Sequence, residues 1–155
     1  IRAIMYTPDS RRLAVAWEDG MVRLLDAARG EETGVAWRAP SPPSALGCCG
    51  PQVLAIATEA GDMHLWNLQS AESPRTIRAH TGRIFSVAAL AGGATLATVG
   101  VDRDLKLWDV ASGELNAALP GHFRRVFAVD VSPDGRTIAS GGLEGDIRLW
   151  RSGAP

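Results

Sequence analysis

Hydrophobic and polar residues alternate in four stretches of the chain, each of which follows a short polar turn. On one side of each stretch the residues are apolar, and on the other side lies a histidine or a basic residue. The apolar positions are Val22 and Leu24, Met63 and Leu65, Leu105 and Leu107, and Ile147 and Leu149; the intervening ones are Arg23, His64, Lys106 and Arg148. A period of two is typical of β-strands, so the pattern predicts strands and not helices.

The alternating stretches recur at intervals of about 42 residues. Trp66, Trp108 and Trp150 are spaced 42 residues apart, and Leu25 occupies the same place 41 residues before Trp66. In each copy an apolar strand precedes the turn, a further strand lies upstream, and a fourth fits after the tryptophan, as in "GELNAAL". The repeat therefore predicts four-stranded antiparallel sheets, fifteen strands in all, because the last copy stops after its third strand.

The amino-acid composition argues against several classes of function. The chain has 155 residues with 16 basic and 17 acidic side chains, a net charge of -1 that gives no overall field for nucleic acid or anionic lipid. It has no apolar run of about 18 residues and no basic-then-apolar leader. Two adjacent cysteines and three histidines are too few for a disulfide framework or a metal cluster. We expect a cytoplasmic domain with no membrane partner, metal or cofactor.

Marker pairs at fixed spacing carry a resemblance to a known family. They are Ala79-His80 and Gly121-His122, each 28 residues before a tryptophan, with Leu65-Trp66-Asn67, Leu107-Trp108-Asp109 and Leu149-Trp150-Arg151. In these features the whole chain resembles the WD40 family of β-propellers. The resemblance implies an all-β fold with blades at about 1–35, 36–78, 79–120 and 121–155, the last lacking its outer strand. The markers degenerate toward the N-terminus, where Leu25 replaces the tryptophan and Arg38 stands at the nominal histidine position of the second copy.

The resemblance also implies a buried hydrogen-bonded tetrad of histidine, hydroxyl, acid and tryptophan in a blade. The matching residues are His80, Thr98, Asp102 and Trp108 in the third copy, and His122, Ser140, Glu144 and Trp150 in the fourth. A hydrolase triad uses similar residue types, but the set occurs twice, uses threonine once and lacks a Gly-x-Ser-x-Gly turn. We expect a structural role and no catalytic residues.

In the family, partners usually dock on the face that carries the loops joining strands d to a and b to c. The positions that the resemblance assigns to this face are Arg2, Trp17, Glu18, Glu59, Arg83, Phe85, Val101, Arg125, Phe127 and Leu143. Arginine and aromatic residues are enriched at binding hot spots. Packing between blades is the alternative for Phe85, Phe127 and Trp17.

The expected function is a non-enzymatic scaffold that binds a protein or peptide. The alternatives are a regulatory propeller in a larger signalling enzyme, an enzyme with a central-channel site near Ser86 and Asp130, and nucleic-acid binding through Arg83, Arg124 and Arg125. His64 is interpreted as a polar face position, Glu31-Glu32 as a solvated loop, and "RAPSPPS" as a rigid connection.

An incomplete last blade raises the question of how the ring closes, because open sheet edges invite pairing with other chains. Three solutions are considered: a piece of a longer chain, two copies joined into an eight-bladed ring, or four blades closing alone. The first two are favoured together, so we expect a homo-oligomer or neighbouring blades of the same chain to complete the ring.

Overall fold

The computed structural model describes residues 1–70 and 72–151, and within them it contains fifteen β-strands and no helix. The first sheet consists of β1 (Ala3–Tyr6), β2 (Arg12–Ala16), β3 (Met21–Asp26) and β4 (Glu32–Arg38). The second consists of β5 (Pro43–Cys49), β6 (Val53–Thr58), β7 (Asp62–Asn67) and β8 (Arg75–Arg78). The third consists of β9 (Ile84–Ala89), β10 (Thr95–Gly100), β11 (Leu105–Asp109) and β12 (Leu115–Leu119), and the fourth of β13 (Val126–Val131), β14 (Thr137–Gly142) and β15 (Ile147–Arg151).

Each sheet is an antiparallel meander in which neighbours in sequence are neighbours in space. The four sheets are propeller blades, and the fourth has three strands in the described residues, in line with the repeat pattern. No helix that could span a membrane is found in the described part of the chain.

Two local predictions from the sequence are corrected by the strand bounds. The strand β4 begins at Glu32 and ends at Arg38, so Glu32 is part of a strand and the first sheet passes the expected boundary at residue 35. The strand β5 begins at Pro43, inside the segment interpreted as a connection. Residues 152–155 of the expected last blade lie outside the described residues.

Strand register gives every blade the same two faces. Leu54 pairs with Trp66, Leu96 with Trp108 and Ile138 with Trp150, and in the first blade Leu13 pairs with Leu25. We call this side the tryptophan face. The opposite side, the leucine face, carries alanine-leucine pairs at the next register position: Ala14 with Leu24, Ala55 with Leu65, Ala97 with Leu107, and Ala139 with Leu149.

The hydrophobic core lies between blades and not within them. Leu24 of the first leucine face is buried with Leu54 and Trp66 of the second tryptophan face. Leu65 is buried with Leu96 and Trp108 in the same way, and a third cluster joins the last two blades. The first strands β1, β5, β9 and β13 contact one another in chain order. Each blade therefore depends on the next for burial of its leucine face.

A glycine pair provides a test of how tightly the blades fit. Gly61 and Gly145 occupy the same turn of the second and fourth blades, with φ of +94° and +87°. A Cβ at Gly61 would lie against the carbonyl of His80 and 2.8 Å from that of Gly82, whereas one at Gly145 would meet nothing within 4 Å.

We expect Gly145→Ala to lower the free energy of unfolding by about 1–2 kcal/mol, the cost of a left-handed alanine. Gly61→Ala should cost at least about 1–3 kcal/mol more, because backbone must also move. Urea unfolding of the two variants measures the difference; equal losses would contradict close packing at this turn.

Candidate functional site

A chain of hydrogen bonds crosses the tryptophan face of the third blade. His80 Nε2 lies 2.7 Å from Thr98 Oγ1, and Trp108 Nε1 donates to the same oxygen at 2.9 Å. His80 Nδ1 lies 2.6 Å from Asp102 Oδ1. All three contacts are satisfied together when Thr98 donates to Nε2 and the Nδ1–H donates to the carboxylate. The strands β10 and β11 place the hydroxyl and the indole on the same face, so their register builds the site.

Asp102 is the most highly connected member of this set. Its second carboxylate oxygen accepts from Lys106 Nζ at 3.0 Å and from the Thr81 amide at 3.4 Å. Burial favours the neutral acid, but hydrogen bonds and charges from His80 and Lys106 outweigh it, and the pKa of Asp102 lies well below 3.8. Lys106 also donates to the carbonyl of Ala79 at 2.9 Å, which ties the turn to the segment before the blade.

The fourth blade repeats the arrangement with glutamate as the acid. His122 Nε2 lies 2.7 Å from Ser140 Oγ, to which Trp150 Nε1 donates at 2.8 Å. His122 Nδ1 contacts Glu144 Oε1 at 2.5 Å. The pKa of Glu144 is lowered, first by its own backbone amide and then, against the effect of burial, by His122.

Burial makes both hydroxyls poor nucleophile candidates. Thr98 is completely buried and Ser140 is 2% exposed, and each hydroxyl oxygen already accepts from an indole N–H. A nucleophile must reach its substrate, so this geometry supports packing of the blade rather than acyl transfer. In the described chain, no group of three or more His, Cys, Asp and Glu residues is placed to hold a metal ion.

In the second blade, a buried histidine on β7 replaces the hydrogen-bonded tetrad on the tryptophan face. Ile56 pairs with His64 in the register that places Thr98 opposite Lys106. His64 is buried, contrary to its interpretation as a polar face position; its Nδ1 lies 2.9 Å from Thr76 Oγ1, and its ring lies 4.8 Å from that of Trp37. Burial lowers the pKa of His64, with Asp62 opposing. Arg38, at the nominal histidine position, is exposed and donates to the Asp19 carbonyl at 2.6 Å.

Four of the residues assigned to the partner face form a row of ion pairs across the first three blades. Arg2 contacts Glu18 at 2.8 Å and Glu59 at 3.4 Å, and Arg83 contacts Glu59 at 3.3 Å. Acidic and basic side chains alternate along this row, so their charges cancel. Glu59 links the second blade to both neighbours.

Two phenylalanines continue the row into the last blade. The guanidinium of Arg83 lies over the Phe85 ring at 5.2 Å, and Phe85 meets Phe127 edge to face, with ring centroids 4.7 Å apart. Both phenylalanines sit at β-bulges: the pairing partners skip from Ile84 to Ser86 and from Val126 to Ala128. A bulge re-aims the side chain of the extra residue, which places both rings outside the regular alternation.

The row ends in exposed residues, which we call the rim patch: Arg125, Phe127 and Leu143. Phe127 is 41% exposed and Leu143 is 54% exposed. The Leu143 amide donates to the Arg125 carbonyl at 2.9 Å, which holds the two segments together. Val101 makes the equivalent bond to Arg83 at 3.1 Å and is partly buried.

Trp17 does not join this row. Its side chain belongs to the tryptophan face of the first blade, where the guanidinium of Arg23 lies 5.5 Å from its ring centroid. Arg23 is paired in turn with Glu32. Strand alternation explains the placement, because Trp17 follows Val15 by two residues.

The two inner-strand residues considered for a channel site each form a hydrogen bond with a backbone group. Ser86 Oγ donates to the Val129 carbonyl of the next blade at 3.4 Å. Asp130 is exposed and accepts from the amide of its neighbour Val131 at 2.8 Å.

Comparisons with known proteins agree with the geometry. The family model described as "WD domain, G-beta repeat" matches residues 71–109 and 113–151, which together are half of the chain. A chain in the solved structure titled "Crystal Structure of Mitotic Checkpoint Complex" is similar over 96% of this chain, with a TM-score of 0.88 and 22% identity. This chain spans 46% of that one. Similarity extends to 1428 chains of solved structures, so the architecture alone identifies no partner. No curated protein matches the sequence.

The shared hydroxyl of the third blade can be tested by Thr98→Val, which keeps the shape and removes the oxygen. His80 and Trp108 would each lose a partner while buried, so we expect the free energy of unfolding to fall by about 2–4 kcal/mol. Urea unfolding measures the loss. Thr95→Val in the same strand is the control, because Thr95 is partly exposed and makes no side-chain hydrogen bond in the described chain. Equal effects of the two changes would contradict the tetrad as a stabilising unit.

The lowered pKa of Asp102 predicts an acid-sensitive contribution to stability. A depressed carboxyl pKa stabilises the fold above the unfolded pKa, here 3.8, and the contribution is lost as the pH falls through the folded pKa. Asp102→Asn should therefore lower the melting temperature at neutral pH, and the gap to wild type should close between about pH 5 and pH 2. Asp104→Asn in the same turn, with no hydrogen bond or ion pair in the described residues, is the control. A gap independent of pH would contradict the assignment.

Proposed function

Because this chain belongs to the WD40 family of β-propellers, we propose that it is a non-catalytic scaffold that presents the rim patch to a protein or peptide. The blades hold the loop residues on a rigid support, and the partner contacts the residues that the fold leaves exposed. The observation that carries this proposal is that Arg125, Phe127 and Leu143 are exposed on adjoining segments. They lie at the end of a row in which the other charged and aromatic side chains contact one another.

The chemistry of the rim patch suits a peptide with an apolar anchor and an acidic neighbour. Phe127 and Leu143 offer apolar surface, and Arg125 offers a guanidinium with no partner among the described residues. Arginine beside an aromatic ring is the composition of many binding hot spots. The Phe85 ring packs against Phe127 and restricts its side chain, so less side-chain entropy is lost on binding.

Nucleic-acid binding has weaker support from the same residues. Arg2 and Arg83 are already neutralised by Glu18 and Glu59, so a phosphate would have to displace these carboxylates. Among the described residues near the end of the row, Arg124 and Arg125 offer free guanidinium groups, and the whole chain has a net charge of -1. A regulatory propeller within a larger enzyme would use the same rim patch and is compatible with the proposal.

Peptides selected from a random display library against the immobilised chain test the proposal. We expect enriched peptides with apolar and acidic residues, and we expect Arg125→Ala combined with Phe127→Ala to weaken their binding at least about 30-fold. The melting temperature should fall only slightly, because Arg125 is exposed and Phe127 loses little more than its edge-to-face contact with Phe85. Leu115→Ala, which truncates an exposed leucine on β12, is the matched control and should bind normally.

Three outcomes would contradict the proposal. They are the absence of enriched peptides, peptides whose binding ignores the double variant, and a large loss of stability in that variant, which would make Arg125 and Phe127 packing residues. Turnover of a hydrolase substrate by wild type and not by Ser140→Ala would favour an enzyme instead.

A further inference from the structure

A groove lies between the outer parts of the first and second blades, and we call it the tryptophan groove. Its volume is about 380 Å³, which falls within the range of ligand pockets. Trp37 of β4 and Trp66 of β7 both line it. Residues 34–37 of β4 form one wall, and the segment after β7 forms the other, with Leu68, Gln69, Ser70, Glu72 and Ser73. The two walls belong to consecutive blades of the chain.

Both tryptophans of the groove have indole N–H groups that meet no acceptor among the described residues. In the third blade the equivalent indole N–H donates from Trp108 to Thr98. The second blade has Ile56 in the register position of Thr98, so Trp66 lacks this partner. A buried tryptophan N–H usually finds a hydrogen-bond partner, and Trp66 is 6% exposed. The groove therefore offers unused hydrogen-bond donors to a ligand.

Two neighbouring rings restrain the ring of Trp37. Its centroid lies 6.4 Å from that of Trp66 and 4.8 Å from that of His64, with interplanar angles of 46° and 60°. His64 is 1% exposed and belongs to the same packed layer. The two indoles thus form a preorganised pair of aromatic surfaces, which lowers the entropy lost when a ligand binds.

The charge of the tryptophan groove is acidic. Among the described residues that line it, Glu72 is the one with a charged side chain, and its carboxylate forms no ion pair there. The neighbouring groove between the second and third blades has about 330 Å³ and no aromatic lining residue. It contains Arg75, whose Nη1 donates to the Ala111 carbonyl at 2.8 Å. The combination of aromatic surface, free donors and an acid is therefore specific to the tryptophan groove.

We propose that the tryptophan groove binds a proline-rich peptide segment in the polyproline II conformation, with a basic residue next to the prolines. Proline-rich segments dock in aromatic-lined grooves and are already extended before binding. Their backbone has no internal hydrogen bonds, so its carbonyls accept from the indole N–H groups of Trp37 and Trp66. The basic residue pairs with Glu72. The groove shares no residue with the rim patch, so this is a second binding site.

Indole signals in a ¹H–¹⁵N correlation spectrum test the proposal. The chain has five tryptophans, whose signals are assigned by single replacements with phenylalanine. The probe is a synthetic peptide of six prolines followed by arginine, and the control peptide has alanine in place of proline. We expect the proline peptide to shift the signals of Trp37 and Trp66 and to saturate below about 1 mM. Trp108 and Trp150, whose N–H groups are bonded inside the blades, should not respond.

A charge reversal at Glu72 tests the orientation of the peptide. Wild type should bind the arginine-flanked peptide at least about threefold more tightly than a glutamate-flanked one, and Glu72→Lys should reverse this order. Glu114→Lys is the matched control, because Glu114 follows Trp108 by six residues, as Glu72 follows Trp66, and does not line the groove.

Trp37→Phe keeps an aromatic ring and removes the donor. Its dissociation constant for the proline peptide should rise about threefold to tenfold, the loss expected for one hydrogen bond. Thermal unfolding checks that the blades of this variant are intact. Glu72 is exposed, so its charge reversal tests the site without a change to the core.

Several results would overturn the proposal. They are the absence of indole shifts at about 1 mM peptide, equal shifts with the alanine peptide, and shifts that include Trp108 and Trp150. Shifts of Trp37 and Trp66 by tetramethylammonium and not by the proline peptide would make the groove a cation–π site instead. Arg125→Ala combined with Phe127→Ala should leave binding of the proline peptide unchanged, so failure of this proposal is distinguishable from failure of the rim patch.

Discussion

Packing of a leucine face on a tryptophan face is the interaction on which the whole molecule depends. A single blade is one sheet thick and has apolar residues on both sides, so it cannot bury either side by itself. Leu24, Leu65 and Leu105 lose their solvent exposure only because another blade lies against them. Small alanines at Ala14, Ala55 and Ala97 allow the sheets to approach closely. Stability is therefore a property of neighbouring blades and not of any one repeat.

Polar groups in this interface form hydrogen bonds with one another to different degrees. In the third blade Thr98 serves both His80 and Trp108, and Asp102 completes the set, so a buried hydroxyl, imidazole and indole carry no unpaired cost. The second blade has no such acid and hydroxyl among its described residues. It instead buries His64 against Trp37, with one bond from Nδ1 to Thr76, while His64 Nε2 has no hydrogen-bond partner in the described chain. The third blade therefore pairs all of the polar groups of its tetrad, whereas the second blade leaves one ring nitrogen of His64 unpaired among the described residues.

The sequence predicts most of the fold because few architectures combine period-two alternation with a 42-residue repeat. It predicts the strand count and the family, which the structure and the comparisons confirm. It fails where local signals are weak. The strand β5 begins at a proline in a proline-rich segment, and the bulges at Phe85 and Phe127 arise from register, which single residues do not encode. Trp17, just beyond the end of β2, contacts Arg23 and does not join the ion-pair row, and its role in binding a partner stays a prediction.

The tetrads also connect the core to the surface that is proposed to bind a partner. Asp102 follows Val101 and Glu144 follows Leu143, so each acid is anchored inside the blade while the preceding residue lies at the rim. The carbonyls of Arg83 and Arg125 accept from the amides of Val101 and Leu143, which fixes the adjoining segment as well. Rim residues held in this way lose little conformational freedom on binding. The buried polar set thus contributes to recognition without contacting a partner, because it determines where the exposed side chains stand.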